Sequence, residues 1–298
     1  MSSLDMLDLI GGIDTAYISE SFKETTSRKT ISVQRWLPAL AACAALIMMI
    51  PVISNIFRNK GGYDGPSDGL KEIKSLEFNG CYYEATDVPE ALTRYGLPQD
   101  LSPELAGEHV SYLVPNGAGY LESAVKTDIE LLNYKPCPCR GVYIVNDQGH
   151  YYAAVFCNFF LMSDEASIDL SELYRIYGIT GAESILSVTE TDWHRNNTKG
   201  KLVTDRAAVE DFYQITCSLE PNSNSGFQAK VFDGVPEEEQ QKKHIAFADD
   251  LHMIRIETAS GLMFYIELYP NYEWVYASGT LSYYPASQKL LSWAKENL

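Results

Sequence analysis

The chain has 298 residues, of which 40 are acidic and 23 are basic, so its formal net charge at pH 7 is −17. Most of this excess lies after residue 57, in a stretch that contains 35 acidic and 19 basic residues. A surface of this sign repels nucleic acid and anionic lipid, so the composition argues against nucleic acid as a partner of that stretch.

The first 35 residues are too few to form a folded domain, but they carry a helical pattern. Gly11 and Gly12 are expected to bend or break the helix. Two interpretations stay open: the apolar stripe lies on the membrane surface or in a disordered leader, or it docks in the groove of a cytoplasmic partner. The stripe consists of Leu7, Ile10, Ile13, Tyr17 and Phe22, with acidic residues between them.

An apolar run without any charge follows this head. Residues 36–57 read WLPALAACAALIMMIPVISNIF, which meets the ~20 residues that a helix needs to cross a bilayer. The preceding segment is richer in basic residues than the following one, so the positive-inside rule places the head in the cytoplasm and the acidic body outside the cell. The sequence therefore predicts a single-pass protein of the cell membrane.

Three other interpretations of the run compete with that of a membrane-spanning helix. A cleaved signal peptide has a shorter leader and a shorter apolar core. Leu40-Ala41-Ala42-Cys43 matches a lipobox, but Cys43 stands near the start of the run, whereas a lipidated cysteine ends its apolar segment. A core helix of a soluble protein rarely stays free of charge over this length.

The start of the chain resembles that of single-pass membrane proteins from anaerobic Gram-positive bacteria. The resemblance rests on Ile10-Gly11-Gly12-Ile13-Asp14, Tyr17-Ile18, Trp36-Leu37 and Leu40-Ala41-Ala42-Cys43, within residues 4–57. Some of those proteins resemble transmembrane anti-sigma factors in layout, which implies a sigma factor as the cytoplasmic partner. The zinc-binding type of anti-sigma domain carries a histidine and a CxxC pair, which this head lacks, so any sigma contact would rest on the apolar stripe.

Residues 58–69 are rich in glycine, proline and aspartate, which predicts a flexible linker. Residues 70–298 predict an extracytoplasmic α+β domain with antiparallel sheets and short helices. Turns are predicted around Asn79-Gly80 and at residues 147–149. Short helices are predicted at 89–95, 171–177, 205–213 and 287–297, and strands at 76–85, 109–114, 142–145, 150–160, 185–191, 253–258, 262–269 and 272–277.

Residues 92–97 (LTRYGL) have a weak sequence similarity to residues 174–179 (YRIYGI). One interpretation of this similarity is that the body consists of two related lobes, at 70–165 and 166–298, since a body of this length is large enough to hold two cores. Chance similarity over six residues is the other.

Five cysteines follow the apolar run, and two of them form the sequence Cys137-Pro138-Cys139. A disulfide across one residue would be strained and easily reduced, so this pair is a candidate redox switch. The alternative is a turn whose thiols stay reduced. The scattered histidines and cysteines do not have the spacing of a metal site, and the sequence predicts neither a metal nor another cofactor.

The sequence contains none of the common catalytic motifs, such as G-x-S-x-G or H-E-x-x-H, so we expect a protein that is not an enzyme. Its 20 tyrosines are the more unusual feature. Three strand-like doublets should each turn one ring outward, and exposed tyrosines suit a peptide or glycan ligand. These doublets are Tyr82-Tyr83, Tyr151-Tyr152 and Tyr283-Tyr284.

Together these features predict a membrane-anchored extracytoplasmic protein that senses or binds, arranged like an anti-sigma regulator. The alternative is an anchored ligand-binding or structural protein of the cell envelope, in which the head has no signalling role.

Overall fold

The computed structural model describes residues 75–115, 120–161, 163, 166–195 and 197–298. The predicted head, spanning segment and linker lie outside these residues and stay predictions. In the described part of the chain, no helix has both the length and the apolar character that crossing a bilayer requires.

Seven strands form a closed barrel in the order β1-β2-β7-β6-β5-β3-β4. Neighbouring strands are antiparallel except β1 and β4, whose parallel pairing closes the barrel. The sequence predicted antiparallel pairing and did not predict closure. Closure is favourable because it pairs two edges whose backbone groups would otherwise stay unpaired. The strands are β1 Ser75–Phe78, β2 Cys81–Thr86, β3 Ala106–Pro115, β4 Tyr120–Ala124, β5 Ile129–Tyr134, β6 Val142–Asp147 and β7 His150–Phe159.

The remaining five strands form an antiparallel sheet in the order β12-β11-β10-β9-β8, which we call the second sheet. They are β8 Ile185–Thr191, β9 His252–Thr258, β10 Met263–Tyr269, β11 Trp274–Ala277 and β12 Ser282–Pro285. The helices are α1 Pro89–Arg94, α2 Leu170–Ile176, α3 Arg206–Cys217, α4 Asn224–Val231, α5 Glu237–Asp249 and α6 Gln288–Asn297, with short 3-10 helices at Pro103–Leu105 and Ala182–Ser184. The predicted α+β class is confirmed.

Local signals explain most of these boundaries. Asn79 and Gly80, with φ of 50° and 72°, form the tight turn between β1 and β2, as an Asn-Gly pair predicts. The Asp205 carboxylate accepts a hydrogen bond from the Ala208 N–H (3.0 Å) and so caps α3. The sequence analysis missed β4, β5, α4 and α5, and it anticipated β12 only as a strand-like tyrosine doublet.

One continuous apolar core runs through both sheets, from Leu76 in β1 to Trp293 in α6. The first four residues of β6 are all buried, which means that both faces of this strand are covered. Helices α2, α3 and α6 cover one face of the second sheet, where Tyr177 stacks on Phe264 with ring centres 4.5 Å apart. The described residues belong to one compact unit.

The barrel side of this unit meets the second sheet through a backbone contact. The Met263 N–H donates to the Tyr95 carbonyl (3.0 Å), and the Tyr265 hydroxyl donates to the Arg94 carbonyl (2.8 Å). Gly96 has a φ of 74°, and a Cβ there would lie 1.8 Å from the Gly261 carbonyl oxygen. We call this contact the Gly96–Gly261 junction. A side chain at position 96 is excluded both by backbone conformation and by space.

We predict that Gly96→Ala destabilises the protein much more than Gly80→Ala. Both glycines have a φ near 70°, but a Cβ at Gly80 would have no atom within 4 Å. Gly80→Ala should therefore lower the free energy of unfolding by the conformational cost alone, about 1–2 kcal/mol. Gly96→Ala adds steric overlap of the new Cβ with the backbone, so its total loss should be about 3 kcal/mol or more. Urea denaturation of the full chain measures both. Equal losses for the two variants would contradict the close approach.

Candidate functional site

The residues of the predicted docking stripe, Leu7, Ile10, Ile13, Tyr17 and Phe22, lie outside the described residues. Their contact with a cytoplasmic partner stays a prediction.

The tyrosine doublets lie in strands, but they do not share one surface. Tyr83 and Tyr284 are buried, at 1% and 0% exposure, while Tyr82 and Tyr283 are half-buried. Tyr82 pairs with Asn158 near the end of β7, whereas Tyr152 lies near the start of that strand, about 20 Å away at ~3.3 Å per residue. Tyr283 belongs to the second sheet. Any tyrosine-lined ligand surface must therefore be sought on one element at a time.

The cysteine pair follows β5 in a tight turn, and both thiols are free. Within the described residues, no group of three or more histidine, cysteine, aspartate or glutamate side chains is placed to hold a metal ion.

Strand β10 separates two chemically different faces of the second sheet. Phe264, Ile266 and Leu268 point to the helix-covered core and are buried. The alternate positions carry Tyr265, Glu267 and Tyr269, which point to the opposite face. This opposite face carries Glu267 among tyrosines, and we call it the polar face. Helices α4 and α5 cover part of it, since Phe227 stacks on Tyr283 and Phe247 stacks on Tyr269, with ring centres 3.6 Å and 4.0 Å apart.

A buried carboxyl group lies at the centre of the polar face. The Tyr269 hydroxyl donates to Glu267 Oε2 at 2.6 Å. Tyr276 is the cross-strand partner of Glu267, and Tyr283 is the partner of Tyr276, with ring centres 4.6 Å apart. From a loop after β8, the Arg195 guanidinium lies 4.6 Å from the centre of the Tyr265 ring. We call these residues the Glu267 cluster: Glu267, Tyr265, Tyr269, Tyr276, Tyr283 and Arg195.

Opposing effects act on the pKa of the Glu267 carboxyl group, and burial is the largest of them. Burial raises the pKa of Glu267, while the hydrogen bond from Tyr269 and the charge of Arg195 oppose that rise. Burial and the nearby Glu267 charge raise the pKa of Tyr276 to about 12. The tyrosine hydroxyls therefore stay protonated and can donate hydrogen bonds at neutral pH. Shifted carboxyl groups of this kind are enriched at functional sites.

Arg195 is held over the cluster by a constrained loop. Its φ is 61°, which is uncommon for a residue with a side chain. The Arg195 N–H donates to the Asp192 carbonyl (2.9 Å), and the Asn197 side-chain amide donates to Asp192 Oδ2 (2.6 Å). Backbone strain that the surroundings hold in place is concentrated at functional sites.

A cavity of about 250 Å³ lies between the loop after β8 and the end of α5, and Trp193, Asp249 and Met253 are among the residues that line it. Its lining includes none of the six residues of the Glu267 cluster. Met253 is the cross-strand partner of Glu267, and Trp193, which is 56% exposed, belongs to the same loop as Arg195. The cavity and the cluster are therefore neighbours that share one loop and one pair of strands.

The sequence analysis did not identify Glu267 or the loop that carries Trp193 and Arg195. A usable signal was present. In β9 and β10, Arg255, Glu257 and Glu267 alternate with apolar residues, which places charge on the face opposite the core. Which loop covers that face could not be read from the sequence.

A comparison of the chain with protein-family models, with curated proteins and with solved structures finds no match. The functional argument therefore rests on the residues themselves.

We predict that Glu267→Gln changes the pH dependence of stability. Because the folded-state pKa of Glu267 is raised, its contribution to stability is complete below the unfolded-state value of about 4.3 and is lost as pH rises through the folded-state pKa. Glutamine keeps the shape without titrating. The free energy of unfolding of Glu267→Gln, relative to the original protein, should therefore increase with pH.

Urea denaturation between about pH 4 and pH 8 measures this difference. Glu104→Gln serves as the control, because Glu104 is exposed at the surface. A difference that stays constant with pH for Glu267→Gln would show that the carboxyl group does not titrate as the geometry indicates.

Proposed function

We propose that the protein is a membrane-anchored binding or sensing protein whose ligand surface is the polar face around the Glu267 cluster and Trp193. The observation that carries the proposal is that one loop supplies both Trp193, which lines a cavity with Met253, the cross-strand partner of Glu267, and Arg195, which lies over the Tyr265 ring.

The chemistry of this surface favours a peptide or a glycan. Aromatic rings bind the apolar faces of sugars and peptide side chains, while Arg195, Glu267 and the tyrosine hydroxyls supply donors and acceptors for polar groups. The acidic surface of the chain disfavours nucleic acid. The predicted placement outside the cell would expose the surface to cell-envelope components, which contain both ligand types.

We expect Trp193→Ala to weaken binding of a soluble peptidoglycan fragment that carries a disaccharide and a stem peptide. Loss of the exposed ring should raise the dissociation constant at least tenfold, which corresponds to about 1.4 kcal/mol. Isothermal titration calorimetry with the full chain in detergent measures it. Val125→Ala is the matched control, because Val125 is 96% exposed and lies in the barrel part of the chain.

Three outcomes of this titration are informative. Weaker binding by Trp193→Ala and by Arg195→Ala, with Val125→Ala unchanged, supports the polar face. Binding that neither variant affects places the ligand elsewhere. If the titration gives no heat with this fragment, and if neither its peptide nor its sugar binds alone, the proposed ligand class is rejected.

The head supports a regulatory version of this function. Its apolar stripe is suited to docking in a groove, and its resemblance to anti-sigma layouts suggests a sigma factor as partner. In this version, ligand binding outside the cell changes whether the apolar stripe of the head can bind its cytoplasmic partner.

A peptide of residues 1–36 is expected to retain a sigma factor from cell extract, and an Ile10→Asp/Ile13→Asp double variant is expected to lose it because two charges interrupt the stripe. In the alternative function, that of an anchored envelope-binding protein without signalling, deletion of residues 1–22 leaves the cellular phenotype unchanged. Failure to retain any sigma factor would favour this alternative.

A further inference from the structure

The segment between β5 and β6 folds two cysteines into one tight turn. The Cys137 N–H donates to the Tyr134 carbonyl (3.1 Å), and the Cys139 N–H donates back to the Cys137 carbonyl (2.8 Å) across the exposed Pro138. A hydrogen bond between residues two apart bends the chain sharply. Both cysteines are partly exposed, so small reagents can reach the turn.

The turn also places the two thiols beside each other. A hydrogen bond from the Cys139 thiol lowers the pKa of Cys137 to about 6, with burial opposing and with further donation from the Ser260 hydroxyl and the Cys139 N–H. The same shared proton raises the pKa of Cys139. Cys137 is therefore the more readily ionised thiol of the pair.

Cys137 differs in this respect from the other cysteines that the structure describes. Burial raises the pKa of Cys157 to about 12, and it also raises the pKa values of Cys81 and Cys217. The titratable groups that face the pair are Tyr134, Tyr143 and Tyr177, whose pKa values burial raises. Thiolate chemistry is thus concentrated at one place.

The backbone geometry permits a bond between the two sulfur atoms. Two extended residues span at most ~7 Å, and this turn is shorter than extended chain, so the Cα atoms fall in the range of about 4.4–6.8 Å that disulfides use. A ring across a single intervening residue is strained, which makes such a disulfide easy to reduce again.

We propose that Cys137 and Cys139 form a redox-active pair that exchanges with low-molecular-weight disulfides. The Cys137 thiolate attacks one sulfur of the reagent RSSR, forming a Cys137–SR mixed disulfide and releasing RS⁻. Cys139 then loses its proton to solvent and attacks the Cys137 sulfur, forming the Cys137–Cys139 disulfide and releasing a second RS⁻. The protein loses two electrons, and the reagent is reduced to two thiols.

The second step becomes feasible as a result of the first. The largest cause that holds the proton on Cys139 is its hydrogen bond to the Cys137 sulfur. Once Cys137 carries the mixed disulfide, that anionic acceptor is gone, and Cys139 ionises more readily. Cys137 is therefore the attacking residue and Cys139 the resolving one.

The cysteine turn lies close to the contact between the two sheets. Ser260, which lowers the pKa of the Cys137 thiol, lies in the turn between β9 and β10, directly before Gly261 of the Gly96–Gly261 junction. The Ser260 hydroxyl also forms a hydrogen bond with the Thr258 hydroxyl (2.8 Å). Oxidation of the cysteine pair would therefore take place beside this junction.

The test uses the full chain equilibrated with oxidised and reduced glutathione, then alkylated and digested with trypsin. Trypsin does not cut before proline, so residues 127–140 form one peptide that contains Cys137 and Cys139 and no other cysteine. This peptide is expected to become two hydrogens lighter in oxidising buffer and to regain two alkylated thiols in reducing buffer. The peptides with Cys81, Cys157 and Cys217 should stay alkylated.

Two variants assign the order of attack. Cys139→Ser keeps a hydroxyl donor beside Cys137, but it lacks the thiol that would attack the mixed disulfide. A stable glutathione adduct on Cys137 is therefore expected. Cys137→Ser should form an adduct on Cys139 at least tenfold more slowly. Equal rates would overturn this order. A peptide that keeps both thiols in oxidising buffer, or that stops at a mixed disulfide in the original protein, would overturn the proposal itself.

Discussion

The contact on which both halves of the described structure depend is the backbone approach at the Gly96–Gly261 junction. Apolar burial holds the two sheets together, but burial is non-directional and does not fix how they are oriented. The hydrogen bonds from Met263 and Tyr265 to carbonyl groups at the C-terminal end of α1 fix this orientation. They require two backbone segments to meet without intervening side chains, which a glycine at position 96 allows. The position of Tyr265, and with it Arg195 above its ring, follows from this contact.

Local chemistry made much of the secondary structure predictable. Asn79-Gly80 specifies a tight turn because both residues tolerate positive φ, and Asp205 marks the start of α3 because its carboxylate can accept from free N–H groups. Helix α4 escaped prediction because its sequence, NSGFQAKV, combines poor helix formers with a single large apolar residue. That helix forms because Phe227 stacks on Tyr283 of the second sheet, with ring centres 3.6 Å apart, and no local pattern reports such a contact.

Barrel closure and the Glu267 cluster share the reason that they were not predicted. Closure depends on Leu76 meeting Leu121, and the cluster depends on a loop returning Arg195 to β10. Both are contacts between residues far apart in sequence. The alternation of residues along one strand predicts which face of the sheet a side chain is on, but it does not predict which element packs against that face. Cys137 and Cys139 were identifiable because they are separated by a single residue, but the donor that completes their surroundings, Ser260, is more than a hundred residues away.

The two faces of the second sheet differ in what they bury. One face packs Phe264, Ile266 and Leu268 against α2, α3 and α6, while the other, partly covered by α4 and α5, holds a carboxyl group half-buried among tyrosines. Placing Glu267 there opposes stability at neutral pH, because burial disfavours its charge. Sites used for binding often retain such unfavourable groups, since the same group can gain a partner when the ligand arrives.

The parallel pairing of β1 and β4 has a consequence for local motion. Within the described residues it joins two residue pairs, Ser75 with Tyr120 and Leu76 with Leu121, whereas β6 and β7 are joined by six. Because opening free energies follow the number of contacts that must break, the barrel should open first along this seam, and its amides should exchange with solvent sooner than those of β6. Since β1 is the first described strand of the chain, tension arriving through the preceding residues would act at the seam before it reached the rest of the barrel.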